Sequence, residues 1–179
     1  MCPSFFVKLN MVAEVLVLVV LPLLLAAAAG WDLASFTIPN FLSLTLLCLF
    51  AVFALAAGLG PAAIGWHLVA GVAGLFVGFA LFALGWIGGG DAKLFAAMAL
   101  WLGFHDLAPY ALVASLFGGG LTLGLLLLRQ CPLPDLLARQ AWIARLHDAR
   151  SGIPYGVALA AGAFALLPST EIFRLAATV

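Results

Sequence analysis

Gly88-Gly89-Gly90-Asp91-Ala92-Lys93 is the stretch on which the reading of this chain turns. It interrupts a sequence that is otherwise almost entirely membrane hydrocarbon. A carboxylate at bilayer depth is expensive to keep charged, which makes Asp91 a functional-site candidate by default. The glycines permit non-helical backbone and the close approach of a second chain. At that depth such backbone survives only where it is buried in protein or lines a wet cavity. A second acid, Asp32, follows the first hydrophobic segment. Two aspartates at the ends of different membrane helices suggest acid–base hydrolysis.

Of 179 residues, 66% are hydrophobic and only 8% are charged, with seven basic and seven acidic side chains. The mean hydropathy is +1.27. A soluble domain is typically about a quarter charged, so the solvent for most of this surface is lipid. A net charge of zero and the lack of a basic tract give no reason to expect nucleic acid as a partner. Cys2, Cys48 and Cys131 are far apart and form no CxxC pair, so neither a zinc site nor a disulfide framework is indicated. No metal or cofactor is expected. The expected unit is one integral membrane domain over residues 1–179, all-α.

A spanning helix needs about 20 mostly apolar residues. Candidates are Met11–Ala29, Phe41–Gly60, Ala62–Trp86, Lys93–Phe104, Ala108–Leu128 and Ile153–Pro168, a bundle of six. The fourth is short. At about 1.5 Å per residue it covers roughly 18 Å of an approximately 30 Å core. It must therefore start inside the membrane thickness or lean on its neighbours, and either way the Gly88–Asp91 loop is drawn below the interface. Gly71, Gly74 and Gly78 in the third candidate read as a close helix-packing face.

Orientation follows from the basic residues. Arg129, Arg139, Arg145 and Arg150 lie between the fifth and sixth spans, and Lys93 falls on the same side. Lys8 and Arg174 are on the other. The positive-inside rule then puts Asp32, Asp91 and the Arg129–Ser151 segment in the cytoplasm and both termini outside. Within that segment Pro132, Pro134 and Asp135 predict a short interfacial helix with Asp135 as its N-cap. Trp142 among the arginines fits headgroup level. Lys8 followed by an apolar run and Ala26–Ala29 also has the form of a secretory signal peptide, which Glu14 inside the run speaks against.

Around the first acid the chain reads Trp31-Asp32-Leu33-Ala34-Ser35-Phe36-Thr37-Ile38-Pro39-Asn40. Pro39 suits the first turn of the following helix, where its missing N–H costs little. Asp32 is thereby expected in a short connection, where a lone acid is more often merely solvated. Gly88-x-Gly90-Asp91 alone is a weak signal, since glycine turns ending in Asp are frequent helix starts. The combination is stronger.

Asp32 with Ile38-Pro39-Asn40, then Gly88-x-Gly90-Asp91-x-Lys93, resembles the type IV prepilin leader peptidases, aspartyl proteases of the bacterial inner membrane. Trp101-Leu102-Gly103 and Ile153-Pro154-Tyr155-Gly156-Val157-Ala158 also resemble that family, and the shortness of the chain points to its tight-adherence (Flp) pilus branch. The resemblance implies a multi-pass protein of the bacterial inner membrane that cleaves a short basic leader from prepilins or pseudopilins at the cytoplasmic face, just before their hydrophobic helix. It implies Asp32 and Asp91 as the catalytic pair, with Gly88, Gly90, Lys93, Pro39 and Asn40 in support. Larger members carry a cysteine-rich insert and also N-methylate the new terminus. This chain has no such insert, so methyl transfer is not expected. The neutral stretch Leu33–Thr37 departs from the basic one often found there.

Two carboxylates sharing a site do not both ionise easily. The ionised one can deprotonate a water while its protonated partner polarises the scissile carbonyl, and the titration belongs to the pair. Lys93 reads either as a first-turn residue snorkelling to the interface or as a partner for Asp91 or an acidic substrate residue. His67, His105 and His147 are scattered with no HExxH, and no Gly-x-Ser-x-Gly occurs. Glu14 is expected to be paired or interfacial. The competing class is a small transporter or ion-translocating component whose acids bind protons or cations.

Overall fold

The computed structural model describes residues 3–177, with side chains from residue 9 onward, so Cys2 and the Lys8 side chain lie outside the described residues. All regular structure among them is helical. The first hydrophobic run is one rod. Helix α1 (Pro3–Val15) passes through a wider π-helical turn, Leu16–Val20, into α2 (Leu21–Ser35). Pro22 supplies the reason. It has no N–H to give, and its ring would clash with the carbonyl four residues back, so the turn before it widens. Ala13, Val17, Leu21, Leu25 and Ala28 form its core-facing stripe. Glu14 is on the exposed side.

Helix α2 ends when Phe36 turns left-handed (φ 56°) and its N–H bonds the Asp32 carbonyl at 2.7 Å. Asp32 thus lies in the last turns of a helix, not in a connection as the sequence reading has it. An extended link follows, because a residue before proline is pushed out of the helical region. Pro39 is the N-cap of α3 (Asn40–Ala56), one residue earlier than expected, and α4 (Pro61–Ala83) follows after residues 57–60.

The next element, α5 (Gly89–Leu128), is two arms hinged at Gly103. Gly103 has φ 64° and ψ −179°, a conformation that L side chains rarely adopt. The rings of Phe95 and Tyr110 stack 5.9 Å apart. In a straight helix they would be separated by about 22 Å, so the chain reverses at Gly103. The break frees the Leu100 carbonyl, which lies 2.8 Å from His67 Nδ1. A carbonyl only accepts, so His67 carries its proton on Nδ1. The N-terminal arm, 89–102, packs antiparallel on the glycine face of α4. A Cβ at Gly71, Gly74 or Gly78 would meet Leu100, Ala99 or Ala92 at 3.0, 2.4 and 2.9 Å. Trp101 anchors the same arm to α3 through its ring on Phe53 and its N–H to the Leu46 carbonyl at 2.9 Å.

The C-terminal arm, 104–128, packs against α8 (Tyr155–Leu166), with Gly162 facing the Ala114 backbone. Between them lie α6 (Asp135–Ala138) and α7 (Ala141–His147). Pro134, not Asp135, caps α6. Arg129 holds this segment in place by donating to the Leu146 and Gly152 carbonyls at 2.9 and 2.7 Å. A 3-10 turn, Leu167–Ser169, and α9 (Glu171–Ala177) end the described chain.

The class is an all-α membrane protein, as expected. The expected count of six spans is another matter. By length and composition three helices suffice to cross, or four if the bent pair Tyr155–Ser169 and Glu171–Ala177 is one span. The Gly103 hinge splits one of these, and Asn40–Ala56 is shorter than a full crossing.

Candidate active site

Four segments distant in sequence converge at the end of the bundle opposite the Gly103 hinge. Asp32 comes from the last turns of α2, and Asp91 from the first turn of α5 rather than from a loop ahead of it. Both are buried, with 3% and 5% of their surface exposed. Asp91 Oδ2 reaches back to accept the Gly88 N–H at 2.9 Å, satisfying one of the orphan donors of that helix end. Asp32 Oδ2 accepts the Gly156 N–H at the start of α8, at 2.7 Å. The two carboxylates act on each other electrostatically. Asp91 Oδ1 is buried and makes no hydrogen bond among the described residues. Leaving such an oxygen unpaired costs about 1–3 kcal/mol.

Ile38 is the wedge between these segments. A Cβ on Gly90 would come within 3.0 Å of both Ile38 N and Ile38 Cβ. A Cβ on Gly156 would lie 2.7 Å from Ile38 Cδ1 and 2.8 Å from Asp32 Oδ2. The two glycines are therefore required by close approach. For Gly90 the neighbour is this chain's own extended link, and no positive φ is involved. Lys93 donates to Asn40 Oδ1 at 2.7 Å, which ties α5 to α3. Lys93 is itself exposed. Arg145 donates to the Ala34 carbonyl, putting the arginine-rich segment over the same end of α2.

Gly156 and Ile38 carry as much of the geometry as the residues expected to support the acids. The signal for Gly156 was its place just after Pro154 at a helix start, visible in the sequence but without a partner until the chain is folded. A third buried acid, Asp106, belongs to the other end. It accepts the Glu171 N–H at 2.8 Å and pairs with His105 at 2.7 Å, capping α9 from outside. Among the described residues no group of three or more metal-ligating side chains occurs.

The fold and site define an all-α membrane protein with a buried pair of carboxylates, one at the end of its first helical rod and one at the start of a glycine-led helix. A family described as the type IV leader peptidase family matches residues 19–123, which include both acids. The chain belongs to that family. It is 34% identical over 138 residues to the prepilin leader peptidase/N-methyltransferase of Aeromonas salmonicida (strain A449). It is 36% identical over 141 residues to the protein of the same description from Aeromonas hydrophila. Each match covers 68% of this chain and 46% of the relative, so the chain spans about half the length of the curated relatives it matches. No solved structure matches the chain significantly.

Proposed function

We propose that this chain is an aspartic endopeptidase that removes the leader from type IV prepilins, with tight-adherence (Flp) prepilins and pseudopilins as the first substrates to test. The observation that supports this best is the convergence of two buried acids 59 positions apart in sequence, Asp32 accepting the Gly156 N–H and Asp91 the Gly88 N–H. In the working state the pair holds one proton. The ionised carboxylate takes a proton from a water, whose oxygen attacks the scissile carbonyl carbon. The protonated carboxyl hydrogen-bonds the carbonyl oxygen and stabilises it as charge develops. The tetrahedral intermediate then collapses. Its C–N bond breaks as the nitrogen receives the proton that the base took from the water, leaving a new carboxyl, a new amine and the pair again holding one proton. The acid and base roles belong to the pair as a unit.

The site faces the cytoplasm in this reading. Arg145 reaching Ala34 supports it, because it gathers Arg129, Arg139, Arg145 and Arg150 at the end that carries the acids, and basic residues stay inside. The bacterial inner membrane is the compartment this implies.

The test is cleavage of a purified prepilin in membranes or detergent, read as a gel shift across pH. Activity should be bell-shaped. Lowering the pH protonates both carboxyls and removes the base, and raising it ionises both and removes the acid. A profile flat from acid to alkaline pH would sink the two-acid mechanism. Proton or cation flux in liposomes, with no cleavage at any pH, would move the reading to a transporter.

Gly90→Val probes the wedge. The added methyl groups must push Ile38 away from the start of α5, and so move Asp91 relative to Asp32. Displacing a catalytic group by about 1 Å costs on the order of a hundredfold in rate. Overpacking of this kind costs about 1–3 kcal/mol in stability. The variant should therefore remain folded with cleavage down about a hundredfold, as measured by thermal melting beside the gel assay. Full cleavage would mean the close approach to Ile38 has no part in catalysis.

A further inference from the structure

Helices α3 and α4 are neighbours in sequence but do not pack along their lengths. They meet at the hinge end, where the Phe50 and His67 rings are 5.2 Å apart. Toward the acids they diverge, and the N-terminal arm of α5 lies behind the gap as a floor. The result is a groove of about 630 Å³ along the side of the bundle. Leu44 and Leu47 of α3 form one wall and Leu68 and Val72 of α4 the other, all of them exposed. The floor holds small side chains, with Ala96 and Ala97 at its centre. The hydrogen-bonded pair Asn40–Lys93 closes the end nearest the acids.

We propose that this groove seats an apolar helical segment of the peptide substrate, entering sideways from the lipid. The Asn40–Lys93 pair would mark the depth at which the segment ends and the scissile bond reaches Asp32 and Asp91. This rests on the peptidase reading above. The groove ends beside the site, two short steps of chain away. Lys93 is two residues from Asp91, and Asn40 is two residues from Ile38, which abuts Gly90. The exposed walls are apolar, so the occupant comes from the membrane and not from water. From Asn40 to Leu47 the groove runs about 11 Å, two turns of a helix. Small floor residues let a second helix backbone come close, which is how helices associate in lipid.

A larger groove between α4, α5 and α8 offers a contrast. It also reaches the acid end, at Ile87 and Tyr155. Two of its hydroxyls are used within α5, because Ser115 and Thr122 donate to carbonyls of their own helix.

Two measurements on the full chain in membranes decide the matter. Leu47 replaced by a photo-reactive benzoylphenylalanine should give a covalent adduct within the apolar segment of a prepilin, and the same probe at Leu116 should not. Ala96→Phe, which fills the floor, should raise KM for the prepilin roughly tenfold or more with kcat little changed. Leu47→Trp on the exposed wall is the variant to use if Ala96→Phe does not fold. Adducts to lipid alone, equal adducts from both positions, or an unchanged KM would overturn the groove while wild-type cleavage persists. Loss of the parent reading is distinguishable, since then the wild-type protein cleaves no prepilin at all.

Discussion

Asp32→Asn and Asp91→Asn each stop leader cleavage, with kcat down by about 10²–10⁴-fold, while the protein remains folded in the membrane. Asparagine keeps the shape of aspartate and still offers an oxygen to Gly156 or Gly88 N–H, so the packing of both carboxylates is preserved. What it removes is the ability to hold or release a proton. A two-acid reaction has no substitute for either role, so the losses are similar and the double variant is hardly worse than either single one. Turnover above a few per cent of wild type in either variant would strike that residue from the site. Melting temperatures measured alongside separate loss of chemistry from loss of fold.

The next largest effect falls on a residue with no side chain. Gly156→Val loses cleavage by about a hundredfold or more, because a 1 Å displacement at a reacting group costs that much. Its Cβ would lie 2.8 Å from Asp32 Oδ2 and 2.7 Å from Ile38 Cδ1, so α8 must retreat and take its N–H from Asp32. A shift of the pH profile accompanies the loss, since that donor stabilises ionised carboxylate. Gly162→Ala is the control. Its Cβ would press on the Ala114 backbone at 2.8 Å, in the same helix but away from the acids. It should lower stability by about 1–3 kcal/mol and leave the pH profile where it was. A Gly156→Val protein with wild-type kcat and profile would show that α8 only packs beside the site.

Much of this was legible beforehand, and particular residues show why. The row Gly71, Gly74 and Gly78 reads as a packing face from its spacing, and it is the face that Leu100, Ala99 and Ala92 meet. Gly88-Gly89-Gly90-Asp91 reads as a special backbone segment, and Gly90 is needed for close approach to Ile38, although the segment is helical from Gly89 on. Asp32 misled. A residue between an apolar run and a proline looks like a connection, but Phe36 supplies the left-handed cap three residues before Pro39, so the helix runs past Asp32 and carries it inward. The partner of Lys93 was not legible, because Asn40 is 53 positions away.

By itself the sequence determined the solvent and the class, and it singled out two acids that the fold buries. Hydropathy and glycine and proline punctuation act within a few residues of chain, so they are written locally and can be read locally. Only the tertiary structure decided that the chain reverses at Gly103, that α3 and α4 part to leave a groove, and that the Gly156 N–H meets an acid 124 residues earlier. Those outcomes depend on which surfaces touch across the bundle. A missing Cβ is a cost along one helix, and it becomes a requirement only when another segment arrives to occupy the space.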